Sequence, residues 1–190
     1  MKANPWKLIR AHYGTFVFYP SGDRSNWDYV LFWGLPAGVA ILCLALGASL
    51  PEGASMALLT TAGVLTAFFF GVMLQIAQRA MEWAESGPSP GEDTTWQAQF
   101  LKQIAANAGY ACLVSIVAAT VFVGVLIATA QWLLVGLSAV GIGLAIHLGL
   151  LLALVLTRIY ALTADRLLKA EVTPPKGTVT HINDRKAGSG

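Results

Sequence analysis

The sequence predicts an all-α membrane protein with four transmembrane helices, and three observations lead to this fold class. Hydrophobic residues make up 56% of the 190-residue chain and charged residues only 12%, about half the charged share of a soluble domain. The apolar residues are gathered into three uncharged blocks, at 29–51, 53–78 and 103–157. All Lys and Arg residues lie before the first block, between the second and third, or after the third.

The lengths of the blocks determine the number of spans. A helix needs about 20 apolar residues to cross roughly 30 Å of bilayer hydrocarbon, so the first two blocks provide one span each. As a single helix the third block would be about 80 Å long, so we expect it to reverse at Gln131 and Trp132. Pro36 lies early in the first span and is expected to kink it.

The distribution of basic residues predicts the orientation. Short loops rich in Lys and Arg remain in the cytoplasm, which places both termini and the loop at 79–102 on the cytoplasmic side of the membrane. The sequences that continue spans 2, 3 and 4 past the bilayer are good helix formers. We therefore expect helices 2–4 to extend into a cytoplasmic helical collar.

This topology divides the multi-pass chain into three regions. Residues 1–28 are a cytoplasmic N-terminal segment, in which Trp6, Ile9 and Tyr13 have the spacing of an amphipathic helix and a turn follows. Residues 29–170 form the four-helix bundle. Residues 171–190 are expected to be a disordered tail ending in AGSG, a sequence typical of a cloning remnant.

The residue inventory of the spans argues against several classes of enzyme and carrier. The chain has no Cys-x-x-Cys motif, the only histidine inside a span is His147, and no span contains Asp or Glu. Thiol redox chemistry, bis-histidine haem ligation and proton coupling through a membrane carboxylate each need such groups. We therefore expect no enzyme activity, no cofactor and no metal site.

The last span has two distinct faces. One face carries small residues at every fourth position, which predicts close packing against another helix: Gly141, Ala145, Gly149 and Ala153. The opposite face carries His147 together with Gly143 and Leu151. Two interpretations of His147 remain open: it lines a pore or an oligomer axis near the bilayer midplane, or it is a neutral imidazole hydrogen-bonded to an adjacent helix.

Gln75 and Asn107 are polar side chains in the spans that cannot bond fully to their own helix. They could line the cytoplasmic vestibule of a pore or pair with each other, and pairing is favoured. A pore without charged rings inside the membrane would be gated by a hydrophobic constriction, for which Phe122, Leu151 and Leu154 are candidates.

Basic and aromatic residues alternate in the cytoplasmic segments. Positive grooves with aromatic side chains hold single-stranded nucleic acid without sequence preference, and the candidate contacts are Arg10, Tyr13, Arg158, Tyr160 and Arg166. The same residues would also be attracted to anionic lipid headgroups and to the membrane interface. Sequence alone favours the headgroup interpretation.

Three stretches, LIRAHYGTF, WDYVLFWGLP and HLGLLLALVLTRIYAL, together with the charged middle loop, carry a family resemblance. The chain resembles the membrane effectors of Hailong-type anti-phage defence systems, small bacterial four-helix proteins encoded beside a nucleotidyltransferase. The resemblance implies an oligomeric ion-conducting effector in the bacterial inner membrane, with a tetramer favoured over other states. A single-stranded oligodeoxyadenylate made by the partner enzyme would hold it closed, and opening would depolarise the cell. His12, Tyr13, Arg158 and Tyr160 lie in the matching stretches and become candidate ligand contacts.

Two functions therefore remain in view. The first is a gated, homo-oligomeric, ion-conducting pore, which the two-faced last span and the missing catalytic clusters favour. The alternative is a non-conducting membrane scaffold or accessory subunit that binds a cytoplasmic partner protein through the collar. A membrane enzyme ranks third, because it would need polar groups that converge at the cytoplasmic interface.

Overall fold

The computed structural model describes residues 5–14, 30–86 and 94–172, and these residues are mostly helical, with no strand among them. A short helix, α1, spans Pro5–Tyr13, and a π-helical turn at Val30–Gly34 leads into α2 at Leu35–Ala45. Three long helices follow: α3 at Glu52–Ser86, α4 at Thr94–Ile127 and α5 at Gln131–Val172. The predicted turn before residue 29, loop residues 87–93 and tail residues 173–190 lie outside this description.

The predicted all-α class is confirmed, and the chain has the character of a multi-pass membrane protein. Within the described ranges, three segments are long and apolar enough to cross a membrane, namely Glu52–Glu82, Ala98–Ile127 and Gln131–Ala161. The third uncharged block is divided just before Gln131, since α4 ends at Ile127. Val30–Ala45 is a shorter apolar helix.

The helices pack in a row rather than in the order of the chain. Helix α3 packs on α4, α4 packs on α5, and α5 packs on α2, while α1 lies against α4. Helix α3 is therefore at one edge of the row. Only 11% of its membrane window is buried within the chain, against 39% for the windows of α4 and α5.

Helix α2 is antiparallel to α5 and tied to it near both ends. Gly47, with a φ of 62°, ends α2 in the left-handed conformation, and the N–H of Ala48 donates to the carbonyl of Cys43 at 2.9 Å. This pairing is the Schellman arrangement, which satisfies the last carbonyls of a helix. The chain then returns, and the N–H of Leu50 donates to Oγ of Ser138 on α5 at 3.0 Å.

The three residues named as hydrophobic gate candidates belong to the core of the single chain. Phe122 and Leu151 are fully buried, and Leu154 is half-buried against the same core cluster. A Cβ added at Gly141 would lie 2.8 Å from the ring of Phe122. Gly141 is thus the position where α5 leaves room for the fully buried ring of Phe122 on α4.

The small-residue stripe of α5 leaves the core halfway along its length. Gly141 is buried and Ala145 is half-buried, whereas Gly149 and Ala153 are exposed. A Cβ at Gly149 would meet nothing within 4 Å. The N-terminal half of the stripe, Gly141 and Ala145, therefore packs within the chain. The C-terminal half, Gly149 and Ala153, forms part of its surface.

This contrast predicts different responses to the same substitution. We expect Gly141→Ala to lower the free energy of unfolding by about 1–3 kcal/mol, because the added methyl group overpacks the site of Phe122. Gly149→Ala is the matched control and should leave that free energy unchanged or raise it by up to about 1 kcal/mol, because the added methyl group meets nothing and alanine is the better helix former. The measurement is equilibrium unfolding of the purified protein in mixed micelles, and equal effects of the two substitutions would contradict this account of the packing.

Candidate functional site

The site begins with a backbone carbonyl that proline deprives of its helical partner. In an α-helix the carbonyl of residue 32 accepts a hydrogen bond from the N–H of residue 36, and Pro36 has no N–H. The π-helical turn at Val30–Gly34 surrounds this carbonyl. Nδ1 of His147 on α5 lies 3.0 Å from the Phe32 oxygen. The imidazole therefore supplies the donor that the backbone lacks.

The partners of His147 determine its tautomer. A carbonyl oxygen can only accept, so Nδ1 carries the proton that is donated to Phe32. Nε2 is then an acceptor, and it lies 3.2 Å from the hydroxyl of Tyr110 on α4, which donates to it. The side chain is 7% exposed. His147 is thus a buried, neutral imidazole that joins α2, α4 and α5 through both ring nitrogens.

Helix α1 completes the network from the outside. The ring of His12 stacks on that of Tyr110, with centroids 4.1 Å apart and an interplanar angle of 13°. Nδ1 of His12 donates to Oδ1 of Asn107 at 2.7 Å. The hydroxyl of Tyr13 lies 3.4 Å from that of Tyr110. A continuous set of hydrogen bonds therefore runs from α1 through α4 and α5 to the start of α2.

A glycine on α4 permits this close approach of α1. A Cβ at Gly109 would lie 3.0 Å from Cδ1 of Leu8 on α1 and 3.5 Å from the sulfur of Met73 on α3. Small residues at such contacts allow helices to approach closely in a membrane. The absence of a side chain at Gly109 thus allows α1 to pack closely against α4, beside Asn107 and Tyr110.

Burial of His12 changes its protonation. Removal from solvent lowers its pKa from 6.5 to about 4, although the hydrogen bond to Asn107 acts in the opposite direction. Arg158 adds a smaller lowering of the pKa. The docked position of α1 therefore requires a neutral His12.

A cavity adjoins the network on the side of α2. It has a volume of about 260 Å³, and its walls include Trp33, Tyr110, Gly143 and His147. Trp33 stacks on Tyr13 with ring centroids 6.1 Å apart, although more than half of the indole is exposed. The aromatic residues at the start of α2 thus contact α1 as well as α5.

Four of the five pore or oligomer-axis candidates lie inside the single chain. His147 and Asn107 are members of the network, and Leu151 is fully buried. Gly143 packs closely against α2, since a Cβ added there would lie 3.0 Å from the carbonyl oxygen of Pro36. Gln75 alone is exposed, on α3. Asn107 bonds His12, so the structure does not bring Gln75 and Asn107 together.

The ligand candidates are divided between the network and the surface. His12 and Tyr13 lie in the network, and Arg158 donates to Oε1 of Gln103 on α4 at 3.3 Å. Arg10 lines an open surface hollow with Trp6, Lys7 and Tyr13. Tyr160 is 75% exposed. The side chain of Arg166 lies outside the description.

Sequence reasoning missed Tyr110, which is the residue that all parts of the network share. A signal for it does exist, since Tyr110 follows Asn107 by three positions and so lies on the same face of α4. The orphaned carbonyl could also have been read from Pro36. Among the described residues no group of three His, Cys, Asp or Glu side chains is placed to hold a metal ion.

The pairing of His147 with the carbonyl opposite Pro36 predicts a double-mutant result. We expect His147→Leu to lower the free energy of unfolding by about 1–3 kcal/mol, because it removes a buried hydrogen bond. The loss should be smaller when Pro36→Ala is present, since alanine restores the N–H that the Phe32 carbonyl lacks. Equilibrium unfolding of the two single variants and the double variant measures this coupling. Strictly additive losses would contradict the pairing.

The lowered pKa of His12 predicts that α1 undocks in acid. Undocked α1 binds a proton with a pKa near 6.5, so docking is fully stable above that pH and weakens as pH falls toward 4. The total loss is about 3 kcal/mol. Spin labels at Lys7→Cys and Lys102→Cys, with both native cysteines replaced, should report a distance distribution that broadens over this range.

The matched control for the acid response is His12→Phe. Phenylalanine keeps a ring that can stack on Tyr110 but cannot take up a proton. Its distance distribution should not change between pH 6.5 and 4. If this variant broadens as the parent protein does, a group other than His12 governs the response.

Comparison with known proteins adds no family assignment. No protein-family model, no curated protein and no solved structure matches the chain. The resemblance to Hailong-type effectors therefore rests on the quoted sequence stretches alone. What the chain does must be argued from its own surfaces and contacts.

Proposed function

We propose that this chain is a four-span membrane protein that forms a homo-oligomeric, ion-conducting pore controlled from its cytoplasmic side. The observation that carries the proposal is the outer face of α3. This helix lies at the edge of the row, and 11% of its membrane window is buried within the chain. A helix so little covered by its own chain is available to face other subunits or water.

A stripe along the outer face of α3 is small or polar except at Val64, and exposed large apolar side chains such as Met56, Phe70 and Leu74 lie beside it. At 100° per residue, one face collects positions that are exposed except for the half-buried Gly71: Gly53, Ala57, Thr60, Val64, Ala67, Gly71, Gln75 and Gln78. Amide side chains at membrane depth are costly against lipid. We infer that this face, called the α3 stripe, lines the pore axis.

The other exposed surfaces have a different composition. Large aliphatic side chains cover the outer face of α2 at Ile41, Leu42 and Leu44, and that of α4 at Ile116 and Val117. Such surfaces match lipid tails, which are as apolar as leucine. The contrast within one chain supports water or protein, rather than lipid, as the neighbour of the α3 stripe.

The positions of the cations support three of the spans and their orientation. Arg79, Lys102 and Arg158 each lie about 40 Å along a helix from its opposite end, which matches a bilayer thickness of about 40–45 Å with headgroups. All three therefore reach one interface, and the positive-inside rule makes it cytoplasmic. Helix α2 with its π turn is about 24 Å long, so local thinning or flanking residues must complete the fourth span.

Control from the cytoplasmic side would act through α1. Helix α1 contacts α4 beside Gly109, and α4 packs on α3. A ligand that bound His12, Tyr13 or Arg158 would therefore act on the neighbour of the α3 stripe. The family resemblance implies single-stranded oligodeoxyadenylate as this ligand, with the bound state closed, in anti-phage defence.

Cysteine modification during current recording tests the proposal. In a background with Cys43 and Cys112 replaced by alanine, Thr60→Cys and Val64→Cys should react with a charged methanethiosulfonate in planar bilayers and reduce the current. The reason is that thiolate, the reactive form, exists only where water reaches the side chain. The matched control, Val117→Cys on the aliphatic face of α4, should not respond.

Oligodeoxyadenylate added to the cytoplasmic face tests the control mechanism in the same recordings. Suppression of the current, lost in Arg158→Gln, would support the ligand. If the reagent reduced the current of Val117→Cys and not that of Thr60→Cys, the assignment of the pore axis to the α3 stripe would be contradicted. A bilayer that stays silent although the protein is inserted would contradict conduction itself.

The second candidate is the non-conducting scaffold, and the geometry of His147 favours it. Both ring nitrogens of His147 are bonded within the chain, and Asn107 bonds His12. These polar groups therefore serve packing in a single subunit. In a scaffold the α3 stripe would pack dry against another helix, so cysteines there would cross-link between chains but resist charged reagents.

A further inference from the structure

We propose that the cleft between the cytoplasmic ends of α3, α4 and α5 is a binding site for an anionic phospholipid of the surrounding bilayer. Val72, Ile76, Leu101, Ile104 and Ile159 form its apolar part, and Gln75, Arg79 and Thr163 its polar part. The inference rests on the membrane spans of the proposed function but is independent of conduction. It assigns a ligand to a surface that the α1 network does not use and that shares Gln75 with the edge of the α3 stripe.

The cleft has an apolar part and a polar part, as a phospholipid does. Its floor is apolar and buried, since Leu101 and Ile104 are both less than a tenth exposed. Its rim is polar and exposed at Gln75, Arg79 and Thr163. An acyl chain matches the floor, and a phosphate matches a guanidinium flanked by an amide and a hydroxyl. No purely apolar or purely anionic ligand would use both parts.

The height of the cleft matches the headgroup layer of one leaflet. Arg79 ends the uncharged part of α3, about 40 Å from Glu52 at the other end of the helix. Lys102 and Arg158 lie near the same level on α4 and α5, next in the sequence to the lining residues Leu101 and Ile159. Basic pockets between transmembrane helices on the cytoplasmic side are the sites where anionic lipid headgroups bind.

The size of the cleft favours a lipid over a soluble molecule. Its volume is about 260 Å³, which is below the range of about 300–1,000 Å³ in which pockets enclose small ligands. A lipid needs only part of one chain in the cleft, because the rest remains in the bilayer. Glu82, one turn beyond Arg79, would repel an anion, so the phosphate is expected on the Gln75 and Thr163 side.

Native mass spectrometry of the full chain, stripped of lipid in detergent, tests the site. We expect phosphatidylglycerol to bind more tightly than phosphatidylcholine with the same acyl chains. Arg79→Gln should weaken phosphatidylglycerol binding about fivefold, the effect of one interfacial charge. Lys7→Gln, the same charge change on α1, should not weaken it. Thr163→Trp, which narrows the cleft without changing charge, should reduce the binding of both lipids.

Three outcomes would overturn the assignment. Equal affinity for the two lipids would show that the cleft does not select an anionic headgroup. An equal loss of phosphatidylglycerol affinity in Lys7→Gln and Arg79→Gln would show that binding reflects general charge attraction instead of this site. Displacement of bound phosphatidylglycerol by oligodeoxyadenylate would assign the cleft to the nucleotide instead. Helix content by circular dichroism shows that each variant is folded. Because none of these readouts is a current, a failed lipid site and a failed pore are distinguishable.

Discussion

The hydrogen bond between His147 and the carbonyl of Phe32 is the constraint on which the rest of this arrangement depends. Pro36 removes one backbone donor at a depth where water is scarce, and such a carbonyl must find another partner. The imidazole of α5 supplies it at 3.0 Å. Helix α2 is consequently held in register on α5, with the close contact at Gly143 as a second fixed point.

The same histidine transmits that constraint to α1. Once Nδ1 is committed to the carbonyl, Nε2 can only accept, so the hydroxyl of Tyr110 is oriented toward it. The Tyr110 ring then offers a flat face to His12 and its oxygen to Tyr13. The position of α1 is in this way linked to the position of α2 through Tyr110 and through the tautomer of His147 that is protonated at Nδ1.

The sequence was sufficient for the helices but not for their neighbours. Uncharged blocks and the break at Gln131 reflect the cost of burying charge in hydrocarbon, a local property that sequence carries directly. Side-chain partners depend on which helices pack side by side, and the row α3, α4, α5, α2 does not follow chain order. Depth in the membrane alone therefore predicts that Asn107 pairs with Gln75. In the structure Asn107 instead bonds His12, which comes from a segment outside the spans.

The distribution of polar groups then separates two tasks that the sequence could not tell apart. His12, Asn107, Tyr110 and His147 form hydrogen bonds inside the chain, to one another or to the Phe32 carbonyl, which offsets much of their cost in the membrane without a second subunit. Gln75 and Gln78 on α3 are exposed in the single chain. Gln75, the deeper of the two, lies about one turn from the interfacial Arg79 towards the bilayer, where an amide facing lipid is unfavourable. In the proposed assembly the α3 stripe would therefore be the face that needs a neighbour, and the α1 network would be free to regulate it.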